Sequence, residues 1–372
     1  RRWSYWSVPP TAPRAGLTFD QAAEEFDDLM ATVMRQHMRT DVPFGLFLSG
    51  GVDSGLLLAL LARYSGEPIR TFSVGFDSDR FRDELPIAEQ VAARFGACHT
   101  SLRLPPETLL NREPQAVWAA DDLMRDYANL PTNCLAEEAS QGLKVVFTGE
   151  GGDEAFAGYG RYHAPTLERW FKGVVHPGTG GFRTRGMLRR RQPHWLFGER
   201  LLGELDAARR PFIQAWQASP AQWTDLQRMQ HTDLTTALPD NLLVKADRML
   251  MAWGMEGRVP LCDRRVVEFG LGLPDGLKVD RRQGKVFLKR WAERFLPREQ
   301  IWARKQGFRV PVREWLAGSF LDRLEPALLR DPALGQWFQR QGIRRLCQRQ
   351  RRKGDASRPL WALTEFALWH RM

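Results

Sequence analysis

Apolar residues along the first 160 positions fall into two alternating periods. Behind Thr18, a candidate helix cap, Phe26, Leu29, Met30, Val33 and Met34 recur at helical spacing through Arg39. Val42–Leu48 is a short apolar run suited to a buried strand, broken by Ser49-Gly50-Gly51. Asp53–Tyr64 then reads as a helix with Leu56, Leu57, Leu60 and Leu61 on its apolar side. The same alternation predicts strands at Ile69–Phe76, Cys98–Leu104 and Lys144–Thr148, and helices over Glu84–Phe95, 106–120 and 131–141. Such a series folds into a parallel sheet with helices on both faces, and its ligand sits beyond the carboxyl ends of the strands. Both glycine-rich turns, 49–51 and 149–152, fall at such ends. After about residue 160 the strand signal fades into helices and loops rich in Trp and Arg. The division expected is a linker over 1–16 (Pro9, Pro10, Pro13, Gly16), an α/β core over about 17–160, and a mainly helical remainder over 161–372. Trp118 and Trp253 are read as core residues.

Composition excludes more than it selects. The 372 residues are 43% hydrophobic and 26% charged, which rules out disordered and fibrous architectures. No run approaches eighteen apolar residues, so no membrane-spanning helix is expected, and Arg1–Pro10 contains no signal core. Cys98, Cys134, Cys262 and Cys347 are scattered without metal spacing and read as reduced thiols of a cytoplasmic protein. His37, His99, His163 and His231 show no metal spacing either. The net charge is +10, and only eight of the 54 basic residues are lysine. Arginine clusters at 183–191 and 344–353 are not interleaved with aromatics, so a solvated basic surface is favoured over nucleic-acid binding.

Two strings carry chemistry. In Leu48-Ser49-Gly50-Gly51-Val52-Asp53-Ser54, the glycines allow a tight turn, and Ser49, exposed amides and the next helix amino terminus form an anion site. Asp53 stands where a carboxylate could hold Mg2+ against phosphate oxygens. The string lacks the Walker pattern. In Thr148-Gly149-Glu150-Gly151-Gly152-Asp153-Glu154, three acids within five positions repel one another unless a cation or a proton is shared. That makes Asp153 a second candidate for Mg2+.

The first string resembles the pyrophosphate loop of the ATP pyrophosphatases. Paired with Gly149–Tyr159 (GEGGDEAFAGY), it resembles the synthetase domain of glutamine-dependent asparagine synthetases. Similar blocks recur at Leu242–Met249, Glu256–Asp263, Gly284-Lys285, Leu288-Lys289, Arg304–Phe308, Pro311 and Trp315. The resemblance implies an adenine-nucleotide α-hydrolase-like (PP-loop) fold and a two-step ligation. An aspartate side chain is adenylated by ATP with release of pyrophosphate, and ammonia then gives asparagine and AMP. Leu48, Val74, Thr148 and Gly149 would surround the adenosine. Ser49, Gly50, Gly51 and Ser54 would cradle pyrophosphate, and Asp53 and Asp153 would hold Mg2+. Glu150 would act as general base and Lys285 would stabilise phosphate charge. Asp126 and Tyr127 correspond to the segment beside the acyl substrate. Arg258 and Asp263 are equally readable as an internal ion pair or as substrate contacts.

The family's glutaminase half begins with a nucleophilic cysteine, and no cysteine precedes Cys98 here. The stretch Tyr5–Pro9 resembles the linker between the two halves. The expectation is a synthetase half without its amino-terminal glutaminase, using ammonia drawn from glutamine, with a homodimer as candidate assembly. A second reading keeps the adenylation and changes the acid, as in specialised amidotransferases and peptide or β-lactam cyclases. The β-lactam branch pairs a tyrosine with the catalytic glutamate, and 107–120 offers Trp118 but no tyrosine. A non-catalytic polyanion-binding role would have to explain two intact phosphate loops.

Overall fold

The computed structural model describes residues 3, 6–8, 12–76, 83–124, 126–163, 168, 171, 173–174, 178, 193–205, 207–303 and 310–372. The motif block Arg304–Phe308, the arginine cluster 183–191 and most of 1–11 lie outside the described residues. Helix α1 (Phe19–His37) starts with a full capping box. Gln21 N–H donates to Thr18 Oγ1 at 3.3 Å, and Thr18 N–H donates to Gln21 Oε1 at 3.1 Å. Its buried stripe is Ala22, Phe26, Met30, Val33 and Met34.

Five parallel strands follow in the order β3-β2-β1-β4-β5. They are β1 (Phe44–Phe47), β2 (Arg70–Phe76), β3 (Cys98–Leu104), β4 (Val145–Phe147) and β5 (Glu256–Arg258). Four match the sequence expectation to within two residues at either end. The fifth does not: β5 comes from the stretch read as helical. Its sequence, Glu-Gly-Arg, has no apolar alternation, because it is a short edge strand with little buried side chain. Pairing with β4, from Val145↔Glu256 to Phe147↔Arg258, creates it. The sheet therefore draws on both the α/β region and the later helical region.

The chain runs from β1 outward through β2 and β3, then returns to the other side of β1 at β4. The order reverses between β1 and β4, and a crevice opens there at the carboxyl ends. One face of the sheet is covered by α1 and α2 (Val52–Tyr64) together with Phe287, Leu288 and Trp291. The other is covered by α4 (Pro106–Ala120), α5 (Asn129–Ser140) and carboxy-terminal helices bearing Leu346 and Trp361. Helix α3 (Leu85–Arg94) packs along β2 and β3. Burial on nearly every side explains why α2 is apolar almost all round, with Ser54 through Leu61 buried.

Phe26 joins α1 to later segments. Its ring, fully buried, meets Phe156, Phe269, Phe287 and Trp291 with centroids 4.7 to 5.4 Å away. Trp118 corrects the sequence reading: it is 70% exposed, because the apolar face of α4 runs through Leu109, Ala116 and Ala120 instead. Trp253 does pack against the core. Arg258 and Asp263 do not pair with each other. Arg258 binds Glu256 and the His37 and Arg39 carbonyls, while Asp263 binds Arg265 and His37. Those partners hold the Asp263 carboxyl below the usual range, although burial alone would raise it. The four cysteines are free. In the 344–353 cluster, Arg349 pairs with Asp355, and Arg351 with Asp322 and Glu325. No helix among the described residues is long and apolar enough to cross a membrane.

Replacing Phe26 by Ala should remove this junction. The expected cost is about 3–5 kcal/mol, read as a lower urea midpoint with an unchanged slope; a shift under about 1 kcal/mol would contradict the role given to the ring.

Candidate active site at the strand switch point

The turn after β1 is built around Ser54. Its hydroxyl accepts from Ser49 N–H at 3.0 Å and lies 2.9 Å from Ser49 Oγ, which in turn accepts from Gly51 N–H at 3.2 Å. Gly51 caps α2 with no side-chain bond, so the first helical amides face the crevice with their positive dipole end. Both backbone groups at the strand end are held by β2. Leu48 N–H donates to Phe72 O at 2.8 Å, and Ser73 Oγ donates to Leu48 O at 2.5 Å.

The turn after β4 is set by close approach. Gly151 adopts φ +90°, and a Cβ there would collide with Cys262 Sγ. Beyond it comes α6 (Gly152–Ala155), a single helical turn. Gly158 N–H donates to Asp153 O at 2.8 Å, and a side chain at Gly158 would strike Asp153 and Lys285. The Cys262 thiol donates to Glu150 O at 3.4 Å, and burial together with the Glu150 and Glu154 carboxylates pushes that thiol up.

The two turns meet a third segment. Lys285, 5% exposed, caps the helix Val286–Ala292 with φ +58°, a conformation few non-glycine residues hold. Its ammonium bridges Asp53 and Asp153, with Asp153 Oδ1 at 2.9 Å. Burial alone would lower its pKa; the two carboxylates outweigh that and hold it above the ordinary lysine range. Lys285 thus sets one cation beside Asp153 of the acidic string. Burial raises the neighbouring Glu154 carboxyl to about 7, although it accepts from Tyr159 Oη at 2.6 Å.

These elements enclose a cavity of about 510 Å³. Leu48, Ser49, Gly51, Asp53, Ser54, Val74, Thr148, Gly149, Glu150, Asp153 and Asp126 line it. Gly50, Lys285 and Tyr127 do not: Lys285 lies behind the two carboxylates, and the Tyr127 ring packs edge-on against Trp361. Glu150 Oε2 and Thr148 Oγ1 are buried without a hydrogen-bond partner among the described residues.

Lining residues without an assigned role include Ser73, Glu84, Tyr159 and Lys245. Lys245 pairs with Asp126 Oδ2 at 3.4 Å, both on the cavity lining. Tyr159 and Lys245 stand inside the recognisable strings, so their presence was readable. Glu84, raised by burial and accepting from Gly50 N–H, opens the expected helix Glu84–Phe95 but stands in none of the motif strings.

Asp53 and Asp153 suit Mg2+. They converge on one cation, and two carboxylates completed by phosphate oxygens and water are a donor set that ion takes. Among the described residues no group of three or more His, Cys, Asp or Glu could hold a metal alone.

The asparagine synthase family profile matches residues 25–371. Asparagine synthetase [glutamine-hydrolyzing] 1 of Bacillus subtilis is 29% identical, over 94% of this chain and 59% of its own length. A putative asparagine synthetase [glutamine-hydrolyzing] of Mycobacterium tuberculosis is 32% identical, over 97% and 60%. A Penicillium rubens protein named amidase chyE is 25% identical, over 84% and 53%. The chain thus spans about 60% of the length of the first two relatives. With the α/β sheet, the switch-point crevice and a profile match over nearly the whole sequence, this chain belongs to the asparagine synthase family.

Proposed function

We propose that the chain is an ATP-dependent amide-forming ligase unit that activates a carboxylate, with the aspartate side chain as first candidate. The observation that carries the proposal is the meeting of Asp53, Asp153 and Lys285 between two glycine turns at the strand switch point. Open helix amides and the two carboxylates line one cavity large enough for a nucleotide, and the ammonium stands behind the carboxylates.

In the first step, an oxygen of the substrate carboxylate attacks the α-phosphorus of ATP. The bond to the β-phosphate bridging oxygen breaks, and acyl-AMP and pyrophosphate form. Leu48, Val74, Thr148 and Gly149 flank the nucleoside, while Ser49, Gly50, Gly51, Ser54 and the α2 amides bind pyrophosphate. Mg2+, when bound, supplies charge neutralisation at the phosphates, and Asp53 and Asp153 would hold it. Lys285 adds fixed positive charge where charge accumulates on the phosphates. In the second step, ammonia attacks the acyl carbon, Glu150 accepts its proton, and the bond to AMP breaks. The partly unpartnered Glu150 carboxylate supports that base role. Asp126, paired with Lys245, is assigned to the acyl substrate; Tyr127, whose ring packs on Trp361, stands next to it in the chain. Ammonia would come from a glutaminase partner domain.

A relative named amidase gives a second reading weight: the same adenylation with another acid.

ATP–pyrophosphate exchange should depend on Mg2+ and on a carboxylic acid, with aspartate the most active of a panel; no exchange with any acid would sink the proposal. Glu150→Gln should retain the exchange and slow amide formation by about 10²–10⁴-fold. Equal loss of both activities would argue against the base role. Lys285→Met should lower exchange by about 10²–10³-fold; a variant within about threefold of the unaltered chain would remove Lys285 from the chemistry.

A further inference from the structure

A second buried ammonium lies behind the acidic turn. Lys278 ends the short helix Asp275–Lys278 and is fully buried. It donates to Gln230 Oε1 at 3.0 Å and to Leu271 O at 3.4 Å, and stands 3.3 Å from Asp275 Oδ1. Burial lowers its pKa to about 8, with Asp275 pulling the other way. An ammonium can only donate, so this contact dictates that the oxygen of the Gln230 amide faces Lys278. The amide nitrogen must then face the other way. There it donates to Glu154 O at 2.8 Å and Ala155 O at 2.7 Å.

Those two carbonyls belong to α6, whose single turn offers them no further helical donors. Gln230 supplies the missing donor from the helix Asp225–Thr235, itself fixed by a Thr224–Gln227 capping box and by Gln227 Nε2 on Leu271 O at 2.9 Å. The stretch so held reaches the site on both sides. Upstream it carries Glu150 and Asp153. Downstream, Phe156 O accepts from Lys285 N–H at 3.2 Å. Neither Gln230 nor Lys278 lines the cavity.

We propose that Gln230, oriented by Lys278, is a positioning residue that fixes the acidic turn and thereby the register of Glu150, Asp153 and Lys285. The assignment rests on the ligase reading above for its effect on rate, and on geometry alone for its effect on the turn.

Gln230→Glu keeps the volume and an acceptor for Lys278, but turns a carboxylate oxygen toward the two carbonyls. The kcat for ATP–pyrophosphate exchange should fall about 10- to 100-fold, the loss that a displacement near 1 Å produces. KM for ATP should change less than kcat, because the β1 turn assigned to pyrophosphate is untouched. Amide hydrogen exchange over 150–158 should accelerate at least about tenfold while 44–64 keeps its protection. Lys278→Met, which leaves the amide free to turn, should give the same pattern more weakly. Unchanged kcat with unchanged exchange at 150–158 would overturn the proposal. So would protection lost across the whole chain with kcat and KM failing together, the mark of a merely structural role. If the unaltered chain exchanges pyrophosphate with no acid, the ligase reading fails, and the hydrogen-exchange comparison alone decides the positioning role.

Discussion

The arrangement of the site depends on one ammonium held between two carboxylates. Asp53 comes from the first turn of α2, Asp153 from α6, and Lys285 from a segment 232 residues beyond Asp53. Two like charges brought together in a half-buried crevice would repel, and a desolvated lysine alone would shed its proton. Each cost is met by the other group's charge. The contact has steric conditions as well. Gly158 must lack a side chain, and Lys285 must hold a left-handed backbone, or the three segments cannot close to this distance.

That constraint explains why the later part of the chain is not an appendage to the sheet. It provides β5, Lys245 on the cavity lining, Lys285 between the carboxylates, and the Lys278–Gln230 pair behind them. Phe26 ties the same pieces together from below: its ring touches Phe156 just after α6 and Phe287 just after Lys285. Packing in the core and charge pairing in the site therefore set the position of the same two segments.

What could be read from the sequence follows from how local each cause is. The two glycine turns were legible because tight turns and exposed amides need particular residues in consecutive positions. Strands β1 to β4 were legible because their burial writes an apolar run. Strand β5 was not, since Glu-Gly-Arg becomes a strand only through its partner. Trp118 misled because residue type outweighed its phase on α4, which points it to solvent. Gln230 was invisible for a related reason. A glutamine on a polar helix looks solvated until the fold supplies an ammonium on one side and two orphan carbonyls on the other.

The same logic bears on the net charge of +10. A surplus of arginine suggests a surface waiting for a polyanion. Yet several of these arginines are already engaged in pairs, as Arg351 with Asp322 and Glu325, and Arg349 with Asp355. Exposed pairs of this kind contribute little stability each. What they do is lower the field that a distant polyanion would feel. At the crevice the balance differs. The positive elements facing it are helix amides and Lys245, itself paired with Asp126, with Lys285 standing behind two carboxylates rather than in the open. The nucleotide binding proposed for this crevice would draw on oriented dipoles fixed by Ser54 and the glycine turns, so it would depend on local geometry and little on the count of arginines.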